Sequence, residues 1–304
     1  MSKRIVVVGS LNMDIIISAD RLPQIGETIL GEKVSYLPGG KGANQAVSCS
    51  RLGGDVTMVG AVGQDEFGHT LLRQMEANQV NTEFIGCTPE VKTGIADIFH
   101  INHDNCIVVV PGANYSLTPD TITPEIEQAI KEADVLLAQL EIPLDTVQKV
   151  TEIAHANGVK TILNPAPAQT LPKQLLMNVD ILTPNETEFE MLAERPFSDE
   201  RELARLMAEW EAAYDQTLIV TLGAHGSAYL ENGELIVVPA EPVQAVDTTG
   251  AGDTYNGALA IAAAEGRPLA EMISFATRAA ACAVTKFGAQ EGMPYRNELN
   301  GGDE

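Results

Sequence analysis

Short apolar runs of strand length alternate with stretches of helical period along most of this 304-residue chain. That alternation narrows the possible folds more than any other feature. Arg4–Gly9, Val56–Gly63, Val135–Leu140, Thr161–Leu163, Ile181–Thr183 and Leu218–Leu222 read as strands. Between or after them lie the amphipathic stretches Gly42–Leu52, Glu66–Gln79, Leu144–Asn157, Glu186–Ala193 and Glu200–Ala213, and Gly252–Glu265 and Leu269–Thr285 close the chain as two further helices. Strands that are apolar throughout need cover on both faces, and parallel neighbours need a crossover to reach one another. The expected fold is therefore α/β: a three-layer α/β/α sandwich around a mainly parallel sheet.

Two regions break the rhythm. Residues 15–38 offer the short strands Ile15–Ser18, Thr28–Leu30 and Lys33–Leu37 with no helix between them. Residues 94–110 offer Gly94–Ile101 and Cys106–Val110, joined by the polar turn His103-Asp104-Asn105. They predict a small antiparallel β-sheet lid, built from insertions at about 12–38 and 94–110 of one 1–304 domain. No linker, internal repeat or low-complexity tract interrupts the sequence.

The formal net charge of −23 makes nucleic acid and anionic membranes poor partners. No apolar run approaches the roughly 20 residues that cross a bilayer, and the run after Met1-Ser2-Lys3-Arg4 is too short for a secretory leader. Cys49, Cys87, Cys106 and Cys282 have neither CxxC pairing nor metal-ligand spacing with the histidines. Isolated thiols of this kind suit a reducing cytoplasm. An acidic protein can still bind an anion, because charges beyond about 8 Å are largely screened. A helix N-terminus adds only about 0.3–1 kcal/mol, so a divalent cation is expected at any phosphate site here.

Four stretches concentrate polar and flexible residues. In Asp247-Thr248-Thr249-Gly250-Ala251-Gly252-Asp253-Thr254, small residues open an Ala-rich helix and let its N–H groups converge on an anion. A carboxylate at that point repels a phosphate unless it removes a proton from an attacking hydroxyl; equally, Asp253 suits the dipole of an ordinary helix start. Gly39-Gly40-Lys41-Gly42-Ala43-Asn44-Gln45-Ala46 reads as a hinge and close ligand approach or as a plain strand-to-helix turn, and no Walker A pattern occurs. Asn12 and Asp14, two apart on an extended segment, point to one side and could grip vicinal hydroxyls, or simply form a turn. Asn185 and Glu188 have capping-box spacing, and the same pair could stand near a hydrated Mg²⁺.

Together these stretches resemble the ribokinase-like (PfkB) family of carbohydrate kinases, in that family's order from Val6 to Pro294. The GGKGAN stretch, continued by Gly53 and Gly63, resembles the first signature. Asp247–Asp253 resembles the second, and Asn185-Glu186-Thr187-Glu188 the NxxE motif between them. The resemblance implies ATP as donor and a small sugar as acceptor. The branch acting on D-ribose at its primary (O5) hydroxyl fits best.

By that resemblance Asn12, Asp14, Gly40, Lys41, Gly42, Ala43, Asn44, Glu141 and Asp253 bind the pentose. Asp253 deprotonates the hydroxyl, and the amides of Gly250, Ala251, Gly252 and Asp253 form an anion hole. Asn185, Thr221, Gly223, Ala224, His225, Gly226, Gly252 and Asp253 contact ATP, with Thr277 beside the adenine. Mg²⁺ is held through water by Asn185 and Glu188. A K⁺ or other monovalent cation is expected on oxygens of Asp247, Thr249, Ala283, Lys286, Gly288 and Gly292, the last replacing a serine common in the family. A homodimer through the lid is implied as well. A kinase for deoxyribose, fructose or a nucleoside, and a non-catalytic sugar-binding protein of this fold, are the alternatives.

Overall fold

The computed structural model describes residues 3–101 and 104–299. Its strands, in chain order, are β1 (Arg4–Val8), β2 (Asn12–Ser18), β3 (Lys33–Gly39), β4 (Asp55–Gly63), β5 (Asn81–Thr88), β6 (Gly94–Ile101) and β7 (Asp104–Val110). They continue with β8 (Val135–Ala138), β9 (Lys160–Leu163), β10 (Ile181–Leu182), β11 (Thr217–Thr221), β12 (Ser227–Glu231) and β13 (Glu234–Val238). Among the described residues, nine form one sheet in the order β13-β12-β11-β10-β9-β8-β1-β4-β5, and four form a second in the order β3-β2-β6-β7. In the large sheet every pairing from β11 to β5 is parallel, and only the β11–β12 and β12–β13 pairs are antiparallel.

Period-two burial explains the layers. Ile5 and Val7 of β1 enter one apolar cluster, and Val6 and Val8 enter another on the opposite face. Helices α1 (Lys41–Arg51) and α2 (Glu66–Ala77) cover the first face. Helices α3 (Pro124–Lys131), α4 (Leu144–Ala156), α5 (Lys173–Leu176), α6 (Glu186–Leu192) and α7 (Glu200–Tyr214) cover the second. Returning to the first face, α8 (Ala251–Ala264) is buried from Asp253 to Ala262, and α9 (Leu269–Ala283) packs beside it. The alanines Ala258, Ala260 and Ala262 let α8 be enclosed on all sides. A short turn, α10 (Ala289–Gly292), follows.

The small sheet differs from expectation in two ways. It is mixed, because β2 pairs parallel with β6 from Asn12↔Gly94 to Ser18↔His100, while β2–β3 and β6–β7 are antiparallel. The reason is topological: β2 follows β1 and β6 follows β5, two strands of one parallel array, so both leave it in the same direction. Thr28–Leu30 is not a strand. It follows a turn tied by Arg21 to Glu27 and by Gln24 N–H to Glu27 at 2.9 Å, with Leu30 left exposed. Of the turn expected at 103–105, Asp104 and Asn105 belong to β7, and His103 lies outside the described residues.

Candidate active site

The start of α8 and the start of α1 meet at the carboxyl ends of the central parallel strands. Gly250, the N-cap of α8, has φ 77°, a left-handed conformation that glycine adopts without steric cost. The first helical turn leaves the N–H groups of Gly252 and Asp253 without intrahelical acceptors. A Cβ at Gly252 would meet nothing within 4 Å, so that face is open to a ligand. At the other start, Gly42 presses against the turn after β1: a Cβ there would lie 2.5 Å from the Ser10 nitrogen. Larger residues would push α1 away from it.

Asp253 is buried, and donors from α1 reach both its oxygens. Asn44 Nδ2 donates to Oδ2 at 2.9 Å and Gln45 Nε2 donates to Oδ1 at 3.1 Å. Behind them stand further amides. Gln290 Nε2 donates to Asn44 Oδ1 at 3.1 Å, and Gln139 Nε2 donates to Gln45 Oε1 at 2.6 Å.

A second group gathers around Glu141. Its Oε2 accepts from Ser10 Oγ at 2.5 Å, from the Lys41 backbone N–H at 3.2 Å and from Asn12 Nδ2 at 3.5 Å. Asp14 is buried on β2. Burial first, then the negative charges of Glu141 and Asp253, push its pKa up to about 7 against the opposing effect of Lys41. For Lys41, burial favours the neutral amine, yet Asp253, Glu141, Glu188 and Asp14 outweigh it and raise the pKa. Four carboxylates thus favour the charged form of Lys41. Beside Asp14 opens a cleft of about 510 Å³, walled by Ile16, Ser18, Ser35 and Leu37 of the small sheet and by Thr248, Thr249 and Phe287 opposite.

Asn185 and Glu188 form the expected capping box. Glu188 N–H donates to Asn185 Oδ1, and Asn185 N–H donates to Glu188 Oε2, both at 2.8 Å. Burial raises the Glu188 pKa, with Lys41 and the Asn185 N–H opposing. Asn185 also bridges to Thr221 at the end of β11. Gly223, Ala224 and His225 form an exposed turn closed by Leu222 N–H to Gly226 O at 2.8 Å. Thr277 is buried on α9, and its hydroxyl has no partner among the described residues. Neither it nor the 223–226 turn is hydrogen-bonded to the Asp253 group among those residues.

The residues expected around a monovalent cation adjoin one another. Asp247 accepts from Thr249 N–H through Oδ1 and from Gly288 N–H through Oδ2, both at 2.9 Å. The Lys286 ammonium turns instead to Glu298 at 3.0 Å. At Gly292 an added Cβ would overlap the carbonyl oxygen of Ala283. No side chain fits there without movement.

Sequence reasoning gave no role to Ser10, Gln45, Asn114, Gln139, Asn164, Asn256 or Gln290. The available signal was position: Gln139 and Asn164 follow the apolar strands β8 and β9 directly, where a polar residue at a strand's carboxyl end lies nearest an α/β site.

Comparison with known proteins agrees with this architecture. Residues 2–296 match the model described as pfkB family carbohydrate kinase. A ribokinase of Bacillus subtilis is 42% identical over 297 residues, covering 98% of each chain. A deoxyribokinase of Salmonella typhi is 34% identical, covering 97% of each. The structure of Arabidopsis thaliana ribokinase complexed with ribose and ATP superposes with a TM-score of 0.92 at 33% identity, covering 99% of this chain and 98% of that one.

Proposed function

The chain belongs to the pfkB family of carbohydrate kinases, and from that premise we propose that it phosphorylates D-ribose. The γ-phosphoryl group of ATP goes to the primary (O5) hydroxyl, with Asp253 as base. One observation carries this reading: a buried carboxylate, oriented by amide donors on both oxygens, sits in the first turn of α8 beside unpaired main-chain N–H groups. A carboxylate in that position can take a proton while the amides beside it receive the phosphate.

The ribose hydroxyl oxygen attacks the γ-phosphorus as its proton passes to Asp253. The bond from that phosphorus to the bridging oxygen breaks, and ADP leaves with the electron pair. Gly250, Ala251, Gly252 and Asp253 surround the transferring group through their main chain. Asn12, Asp14, Asn44 and Glu141 hold the sugar hydroxyls, with Gly40, Lys41, Gly42 and Ala43 closing the floor. Asn185, Thr221, the 223–226 turn and Thr277 receive the nucleotide, the unpartnered Thr277 hydroxyl supporting its place beside the base.

Two cations fit the residues present. Glu188 spends one carboxylate oxygen on the cap, and the other is left to hold Mg²⁺ through water with Asn185. When bound, Mg²⁺ supplies neutralisation of the phosphate charge. Asp247, with main-chain oxygens of Thr249, Ala283, Lys286, Gly288 and Gly292, makes an all-oxygen set suited to K⁺, Gly292 having only its carbonyl to give.

The cleft beneath the small sheet supports a lid that closes on the sugar and excludes water, the competing acceptor. On the small sheet, Val34, Tyr36 and the run Ile107–Val110 are exposed. This apolar surface supports a homodimer through the lid. Unpaired cysteines support a reducing, cytoplasmic setting, and no described helix is long and apolar enough to cross a membrane. The test is an ADP-release assay over ribose, 2-deoxyribose, fructose and nucleosides. Ribose should show the highest kcat/KM; a site that hydrogen-bonds a buried hydroxyl can reject the analogue lacking it by about 10⁴ or more. Equal values for the two pentoses would remove ribose as the preferred acceptor.

A further inference from the structure

We propose that Gln45 is a positioning residue for the base: its side-chain NH₂, locked by a chain of buried amides that ends on main-chain carbonyls, fixes the Asp253 carboxylate for proton transfer. This rests on Asp253 acting as the base.

Gln45 is fully buried, so its amide must find partners inside the protein. Nε2 lies 3.1 Å from Asp253 Oδ1 and 3.1 Å from Asn164 Oδ1, and Oε1 lies 2.6 Å from Gln139 Nε2. The two ends of an amide have nearly the same shape, so its orientation must come from its neighbours. Here the neighbours decide it. A main-chain carbonyl can only accept. Asn164 stands 3.3 Å from the Thr183 carbonyl and must turn its NH₂ there. Its Oδ1 therefore faces Gln45, which must answer with NH₂, and that same NH₂ faces Asp253.

A second branch ends in the same way. Asn256 gives its NH₂ to the Gly252 carbonyl at 2.9 Å, and its Oδ1 accepts the Thr183 hydroxyl at 2.6 Å. Gly252 immediately precedes Asp253, so this branch returns to the helix start that carries the base.

Each Asp253 oxygen then receives one N–H, from successive residues of α1, and keeps one lone pair for the substrate. The donors differ in what else they do. Asn44 is assigned to the sugar as well, so its loss would mix binding with orientation. Gln45 is shielded from the cleft and acts only through Asp253. Its donation holds the carboxylate plane still, the condition for a proton acceptor that must meet one hydroxyl at one angle.

The experiment pairs Gln45→Met, which removes the donor at similar volume, with Gln45→Leu, which removes it in a shorter, uncharged side chain. Both should lose about ten- to a hundredfold in kcat, the effect of one hydrogen bond to a charged group. KM for ribose and for ATP should stay within about threefold of the parent. The second readout needs no turnover. The Gln45 side-chain NH₂ resonance, identified by its absence in Gln45→Met, should move in Asp253→Ala. If Gln45→Met yields no folded protein, Gln45→Leu and the resonance carry the test. The proposal is overturned by kcat within twofold of the parent, by a resonance indifferent to Asp253→Ala, or by a loss expressed in ribose KM. Should ribose not be phosphorylated by the parent at all, the functional reading fails while the resonance still judges the clamp.

Discussion

The side-chain NH₂ of Asn114 donates to Asn12 Oδ1 at 2.7 Å, and its own Oδ1 accepts the Leu11 main-chain N–H at 2.9 Å. Asn114 thereby fixes which end of the Asn12 amide faces Glu141 and the proposed sugar. Asn114→Leu should raise the ribose KM about tenfold, the worth of a buried hydrogen bond or two, with ATP KM little changed. Steady-state kinetics with each substrate varied would check it; an unchanged ribose KM would free Asn12 from this dependence.

Asp253→Asn keeps the shape of the side chain and removes its basicity. We expect kcat to fall by roughly 10²–10⁴ while ATP binding remains measurable by calorimetry. Near-normal turnover would exclude Asp253 as the base.

Asp14 gives a pH dependence with a definite sign. Burial and the charges of Glu141 and Asp253 raise its pKa from 3.8 to about 7, opposed by Lys41. Between those values the folded protein binds the proton and the unfolded chain does not, so stability from this group declines as pH rises from about 4 to about 7. Asp14→Asn removes the effect. Its Tm relative to the parent should become more favourable at pH 8 than at pH 5, and a difference independent of pH would refute the raised pKa.

Gly292 is required by close approach and not by backbone torsion, since a Cβ there would overlap the Ala283 carbonyl oxygen. Gly292→Ala should cost about 1–3 kcal/mol of stability, the usual range for overpacking, and weaken any stimulation of activity by K⁺. Thermal melts would show the first effect and activity assays with and without K⁺ the second. A variant that melts with the parent would mean α10 yields easily.

The parallel core was legible because strands such as Ile5–Val8 are apolar on both faces. The edges were not. In β5, exposed Asn81 and Glu83 dilute the apolar signal, as one open face of an edge strand allows. The β12–β13 hairpin was also unread, although Asn232-Gly233, both at positive φ, is a strong hairpin turn signal. Thr123-Pro124 likewise announces α3, with the threonine as N-cap and proline in the first turn. In the site, glycines and carboxylates stood out because their spacing forms motifs. The amides behind them did not. Gln139 meets Gln45 across 94 positions and Gln290 meets Asn44 across 246, and a single glutamine carries no periodicity to mark it.

Asn12 and Asp14 belong to β2, the strand from which the small sheet is built. The proposed contacts to the sugar and the proposed roof above it are therefore one piece of backbone. On that proposal, an acceptor too short to touch both Asp14 and Asp253 would forfeit a handhold and leave the roof unlatched, so discrimination against water would be coupled to the fit of the sugar itself.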